Sequence, residues 1–362
     1  LKSKNTIFII KQNKTLKRGF EIMGSVKDLI ILENPNENSL GKGRFVFSDR
    51  YSVFDYGEMP DHIEDKGKAI CIVTSFFFEK LENLGIKTHY IGVVEEDKVK
   101  SLSELKNPSN ILEFKMVRVV KPELKDNIYD YSIFQNLNNN FLIPLEVIYR
   151  NSLPEGSSVF KRLKEGSLKI EDLGLNKMPT PGEKLEKPIV DFSTKLEVND
   201  RYLSKEEAQK LSGLTKDEFE KLINLTLFID DLITHEAEKI NLVNEDGKFE
   251  YALDINRNIM VVDAIGTLDE CRFTYNGIPI SKEIARIYYR KTEWYKEVEE
   301  AKKKDRFNWK SLVNTPPHLP KELKELISSI YKSYANEITQ REWFDTPPMK
   351  DLLNRLQEFL LQ

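Results

Sequence analysis

Cysteine is scarce in this chain. Two occur among 362 residues, Cys71 and Cys271, far apart and outside any CxxC pattern. That spacing excludes a zinc knuckle and a disulfide framework, and a reducing cytosol is the simplest compartment. Histidine is also sparse. His62, His89, His235 and His318 show no metal-ligand spacing and read as structural, although His62 lies where a substrate loop could pass. No charge of one sign dominates: 55 Lys and Arg against 59 Asp and Glu leave a formal net charge of -4. Bulk electrostatics therefore give no reason to expect a nucleic-acid partner, and any anion site must be local. Long apolar runs are missing too. The most apolar stretch, Ala69 to Phe78, is far short of the roughly 20 residues a membrane span needs. No signal-peptide pattern opens the chain, so a cytoplasmic location without a membrane partner is expected.

What is present fits a globular α+β chain, with 40% hydrophobic and 31% charged residues. Single cores rarely grow past about 250–300 residues, so two lobes are expected, 1–120 and 121–362. Short β segments at Phe8–Lys11, Leu29–Leu32 and Phe45–Ser48 are bounded by Gly, Asn and Pro. The spacing of Ile70, Val73, Phe77, Leu81 and Leu84 predicts a helix over Lys66–Leu84, stopped by Gly85. Strands are expected at Thr88–Val94, Leu112–Val120 and Ile143–Arg150, and an ordered Pro-rich connection at Met178–Pro188. Ser204-Lys-Glu-Glu207 and Thr215-Lys-Asp-Glu218 are capping boxes, the second opening a long helix. Further helices are expected at Ser281–Lys303, Lys321–Tyr334 and Met349–Leu361. A mixed sheet in front and helices behind read as α+β.

The segments Phe249–Leu253 and Ile259–Ile265 read as a hairpin. A turn centred on Asn256-Arg257 would set Glu250 opposite Asp263, with Phe249, Tyr251 and Leu253 on an apolar face. Facing carboxylates repel unless a cation lies between them. A Mg²⁺ bridging to nucleotide phosphates would suit, since that ion takes one or two protein carboxylates. Lys248 points to the same face. The alternative is an exposed hairpin edge with solvated charges.

Several segments, in order, resemble the SAICAR synthetase (phosphoribosylaminoimidazole-succinocarboxamide synthase) family. They are Phe47-Ser-Asp-Arg-Tyr-Ser-Val-Phe-Asp55, Lys66-Gly67 with Ser75-Phe-Phe-Phe-Glu-Lys-Leu, and Ile143-Pro-Leu-Glu-Val-Ile-Tyr-Arg150 with Gly156-Ser157. Phe192-Ser-Thr-Lys195, Lys248-Phe-Glu250, Val262-Asp263 and Asp269-Glu-Cys-Arg272 follow, then Pro316-Pro-His-Leu-Pro. An insertion at about Lys121 to Asn140 separates two strands that many members join closely.

The resemblance implies a two-lobed α+β fold with an antiparallel-sheet N-terminal lobe, a mixed α+β C-terminal lobe and the ATP site between them. It implies ATP-dependent joining of L-aspartate to the carboxylate of carboxyaminoimidazole ribotide, a purine-biosynthesis ligase step using ATP and Mg²⁺ and passing through an acyl phosphate. Monomer and homo-oligomer stay equally open. By that resemblance Gly24, Ser25, Val26 and Lys27 form a phosphate-cradling turn, Leu142 borders the adenine, and Lys248 stands beside the nucleotide. Arg150, Ser157 and Arg272 grip the ribotide phosphate, and Glu250 and Asp263 hold the metal. Asp55, Lys66 and Lys195 meet the imidazole, its carboxylate and the incoming aspartate, with Ser52, Glu146, Asp200 and Asp246 as further candidates. A kinase is the competing ATP-using class, but neither an HRD nor a DFG motif occurs.

Overall fold

The computed structural model describes residues 20–24, 26–154, 156–305 and 308–361. A six-stranded antiparallel sheet comes first. Its strands are β1 (Phe20–Met23), β2 (Lys27–Glu33), β3 (Gly41–Phe47), β4 (Tyr90–Glu95), β5 (Lys98–Lys100) and β6 (Ile111–Met116), in the order β1-β2-β3-β6-β4-β5. The expected strands at 29–32 and 45–48 fall on β2 and β3, whereas the one at Phe8–Lys11 lies outside the described residues.

Helix α1 (Lys66–Asn83) covers this sheet. Ile70, Val73, Phe77 and Leu81 are buried as their spacing requires, but Leu84 is the C-cap and is 56% exposed. The helix start is capped from a distance. Asp65 makes no side-chain cap, and the Asp49 carboxylate instead accepts from the backbone N–H of Gly67 at 3.0 Å and Asp65 at 3.3 Å. Gly67 is required here because a Cβ would stand 2.5 Å from the Phe47 carbonyl oxygen.

The 121–140 insertion forms a small hairpin, β7 (Glu123–Lys125) and β8 (Ile128–Asp130), followed by a 3₁₀ turn at Ser132–Asn136. The second sheet holds β9 (Phe141–Ser152), β10 (Lys184–Thr194), β11 (Tyr202–Leu203), β12 (Val243–Leu253), β13 (Ile259–Val262), β14 (Cys271–Tyr275) and β15 (Ile278–Pro279). Its order is β11-β10-β9-β12-β14-β15, with β13 paired to β12. Every ladder in both sheets is antiparallel, which corrects the expected mixed sheet within an α+β fold. The Pro-rich connection is shorter than expected, because 184–188 already belong to β10. Pairing is interrupted between Lys184 and Ile189, where Pro188 has no N–H to give.

Helices α2 (Ser158–Glu165), α3 (Lys205–Ser212) and α4 (Lys216–Glu238) accompany this sheet, and both capping boxes form. The single helix expected at 281–303 is two, α5 (Glu283–Arg290) and α6 (Glu293–Lys304). The Thr292 hydroxyl donates to the Tyr289 carbonyl at 2.6 Å and accepts from Tyr295 N–H, ending one helix and capping the next. Helix α7 (Lys321–Thr339) runs past the expected end at Tyr334 and packs on α1, followed by α8 (Met349–Leu361). One apolar core runs from Phe47 to Leu356 through both sheets. Among the described residues no helix is long and apolar enough to cross a membrane.

The hairpin register differs from expectation by one residue. Glu250 pairs with Val262, and Tyr251 with Val261. The turn is a three-residue loop in place of two: Asp254 N–H donates to Asn258 O, and Arg257 has a left-handed φ of 61°. The Asp254 carboxylate fixes it by accepting from Asn256 and Asn258 N–H, both at 2.8 Å. Asp263 therefore does not lie opposite Glu250. It ends the strand with φ 70°, a conformation that redirects its side chain.

Candidate active site

Strand alternation builds the site. On β9, residues 146, 148 and 150 share one face, and on β12 residues 246, 248 and 250 do. The register sets Glu250 across from Glu146, Lys248 across from Ile148, and Asp246 across from Arg150 on one side and Arg272 on the other. The opposite face is apolar, with Tyr149 stacked on Phe249 at 5.1 Å. A polar, charged face is thus held rigidly against the core by its own strands.

One end of that face gathers lysines and carboxylates. Lys248 Nζ lies 2.8 Å from Glu146, 3.4 Å from Glu250 and 3.4 Å from Glu270. Lys195, just past β10, bonds Glu250, and Lys27 of β2 bonds Asp263 across the lobes. Burial alone would raise the Glu250 pKa, but Lys195, Lys248 and Lys27 override it and hold it at about 2. Lys27 is lowered to about 8, chiefly by burial, with Glu250 and Glu270 opposing the shift. Burial would likewise lower Lys248, yet Glu270, Glu250 and Glu146 carry it well above its ordinary value. Backbone bonds bind this end to the first lobe: His89 N–H to Val261 O and Val261 N–H to Lys87 O, each 3.0 Å.

The other end opens into a cavity of about 300 Å³ lined by Arg150, Ser158, Tyr202, Arg272, Lys282 and Arg286 among others. Arg150 is 2% exposed and is balanced by Asp191 at 2.9 Å and Asp246 at 3.4 Å, while its Nε has no partner. Arg272 Nε donates to Asp246 at 2.7 Å. Ser157 is buried beside this cavity, but its hydroxyl caps α2 by accepting from Val159 N–H. The neighbouring Ser158 hydroxyl faces the cavity and donates to Tyr202 at 2.8 Å.

A smaller adjoining cavity, about 200 Å³, includes Val26, Ser52 and Asp55, and shares Asp269, Glu270, Lys282 and Arg286 with the first. Asp55 has φ 61° and an exposed carboxylate 3.6 Å from Lys302. Ser52 Oγ accepts from Gly57 N–H. Lys66 lines neither cavity; it is 1% exposed and donates to Asp269 at 2.6 Å. Asp200 lies on an exposed loop within reach of the charges of Glu146, Lys248 and Lys195. His62 faces Glu58 at 3.2 Å and is exposed, whereas burial drives His89 down to about 3, so it stays neutral.

The candidate phosphate turn is tight. Gly24 N–H donates to Lys27 O at 3.1 Å, and a Cβ on Gly24 would stand 2.3 Å from that oxygen. Ser25 lies outside the described residues. Leu142 packs with Leu40 on an apolar cluster of Val117, Ala252, Met260 and Val262.

A model of the SAICAR synthetase family matches residues 22–302. The chain belongs to the SAICAR synthetase family. It is 55% identical over 338 residues to a candidate phosphoribosylaminoimidazole-succinocarboxamide synthase of Archaeoglobus fulgidus, covering 93% of this chain and all of that one. It is 34% identical to the phosphoribosylaminoimidazole-succinocarboxamide synthase of Thermoplasma acidophilum, over 83% of this chain and 93% of the relative. Among solved structures, a SAICAR synthetase in complex with ADP has a TM-score of 0.57 at 22% identity, covering 90% of this chain and 99% of that one. The Saccharomyces cerevisiae SAICAR synthase complexed with SAICAR has a TM-score of 0.58 at 19% identity, covering 89% and 95%. The α+β, two-lobed fold is thus that of the SAICAR synthetases.

The structure adds residues that sequence reading left out. Lys282 and Arg286, one helical turn apart at the start of α5, were signalled by that spacing just after the Asp269–Arg272 motif. Asp191 and Arg162 had no such signal. Arg162 bonds Asp191 and stacks at 3.9 Å on Tyr202, contacts that only the β9–β10 register and α2 create.

Proposed function

We propose that this cleft joins L-aspartate to the carboxylate of carboxyaminoimidazole ribotide at the expense of ATP, giving SAICAR, ADP and phosphate in the cytoplasm. The observation that carries the reading is the single polar face of β9, β12 and β14 in a chain of this family. Cations for a phosphate stand at one end and a lysine–carboxylate cluster at the other. We assign lobe 1–120 to the nucleotide and lobe 121–362 to the substrates and metal.

A carboxylate does not react with an amine directly, because its leaving group would be oxide. In the proposed sequence a ribotide carboxylate oxygen attacks the γ-phosphorus and ADP departs. The aspartate nitrogen then attacks the acyl carbon, phosphate leaves and the nitrogen loses a proton. Arg150 and Arg272 hold the ribotide phosphate by their guanidinium forks, helped by the Ser157–Ser158 turn. Lys27 and the Gly24 turn meet the nucleotide phosphates, with Val26 supplying backbone and Leu142 bordering the adenine. Lys248 and Lys195 offset charge near the reacting groups. Asp55 stands at the substrate mouth, and Lys66 acts through Asp269.

The oxygen donors of Glu250 and Asp263 suit a Mg²⁺ that arrives with phosphates, and the three lysines now beside them mark a place built for alternating charge. Held by those carboxylates, that ion would supply positive charge to offset that of the nucleotide phosphates. The test is ADP release by the purified chain. Release that requires both the ribotide and aspartate supports the reading; release with neither present sinks it.

A further inference from the structure

The 121–140 insertion is tied to both working parts of the cleft. Its Tyr131 is 5% exposed and donates to the Glu197 carboxylate at 3.0 Å, while Tyr129 Oη accepts from Val198 N–H at 3.1 Å. Glu197 and Val198 form the crest of the loop that carries Lys195 and Asp200. The base of that loop is closed by Thr194 N–H to Arg201 O at 2.9 Å and by Lys195 N–H to Pro144 O at 3.1 Å. Beyond that base, the crest is held by the two tyrosines and by Arg201, whose guanidinium lies 3.5 Å from Glu197.

The insertion is itself anchored past its exposed hairpin. Phe134 is fully buried, Gln135 bonds the Lys210 carbonyl of α3, and the Asp130 carboxylate accepts from Ser132 N–H at 2.9 Å. It also grips the hairpin turn: Arg257 donates to the carbonyls of Leu137 and Asn138, and Asn139 donates to Ile255 O at 2.6 Å. Lys195 at one end of this connection bonds Glu250 at the other.

We propose that the insertion is a clamp, in which Tyr131 and Tyr129 act as positioning residues that fix the 195–201 loop over the substrate side of the cleft. This rests on the proposed ligase reading. The loop reaches Glu250 by a direct bond from Lys195 and the charges of Glu146 and Lys248 from Asp200, so its position bears first on the two non-nucleotide substrates, whereas the Gly24–Lys27 turn is closed by its own backbone bond.

The experiment compares wild type with Tyr131→Phe, Glu197→Ala and the Tyr129→Phe/Tyr131→Phe pair in the ADP-release assay, with melting temperature recorded. Removing a hydrogen bond to a carboxylate should raise KM for aspartate or ribotide about tenfold, with KM for ATP within about twofold. A control in the exposed hairpin, Leu124→Ser, should leave all three constants unchanged, since Leu124 is 54% exposed. Unchanged constants in the tyrosine variants, or an equal rise in all three, would overturn the clamp. Wild type without aspartate-dependent turnover would instead remove the ligase reading itself, which keeps the two failures apart.

Discussion

Arg150 and Arg272, on strands either side of β12, share one carboxylate, that of Asp246. Asp246 is 4% exposed, so the anion is almost fully withdrawn from water and both guanidinium groups are aimed by it. Asp191 completes the arrangement from the next strand, between Arg150 and Arg162. The cavity wall therefore alternates cations with the carboxylates that orient them, Asp246 lining it and Asp191 standing behind Arg150.

Breaking this compensation should cost stability. Asp191→Ala strips Arg162 of its carboxylate and leaves buried Arg150 with Asp246 alone, and should destabilise the chain by about 3–5 kcal/mol, read from the midpoint of urea unfolding. A change below about 1 kcal/mol would mean that the network is replaceable by water.

Arg272→Lys should act on binding and spare stability. Arg272 is partly exposed, but lysine cannot reproduce its fork. The expected result is a KM for the ribotide raised about tenfold or more, with unfolding within about 1 kcal/mol of wild type. Equal ribotide KM values would remove Arg272 from the phosphate site.

Nucleotide affinity should fall in mild alkali. With Lys27 at about 8, the free protein loses that ammonium as pH rises, so ADP should bind about tenfold more weakly at pH 9 than at pH 7. Lys27→Met should bind weakly at both and show little slope. Calorimetric titration at the two pH values measures this, and an identical slope in the variant would contradict it.

Glu250 predicts the acid limb. Its pKa in the folded chain is held at about 2, below its ordinary value, so its stabilisation is complete above about 4.5 and is lost as pH falls through 2. Glu250→Gln should flatten the stability profile across that window, as followed by urea unfolding at a series of pH values. An unaltered acid limb would show that the lysines around Glu250 do not hold it ionised.

Much of the fold was legible because periodicity reports burial. The stripe from Ile70 to Leu81 and the two capping boxes read directly from residue spacing. The hairpin was legible as a hairpin, but its register was not. Asp254 draws in the N–H groups of Asn256 and Asn258 to make a three-residue loop, which shifts every pair by one. Thr292 divided a helix by competing for a backbone carbonyl. Arg150 and Arg272 were put forward by the family resemblance, Lys248 and Glu250 first by the hairpin pattern, and the structure brings these four residues onto one face. Asp191, Arg162 and Ser158 were not, since their roles come from register between strands distant in sequence and from which of two adjacent serines turns inward.

The most direct test follows oxygen. Ribotide labelled with heavy oxygen in its carboxylate, turned over with ATP and aspartate, should deliver a labelled oxygen to the released phosphate, because that carboxylate attacks the γ-phosphorus and leaves as part of phosphate. Formation of SAICAR with unlabelled phosphate would contradict the account.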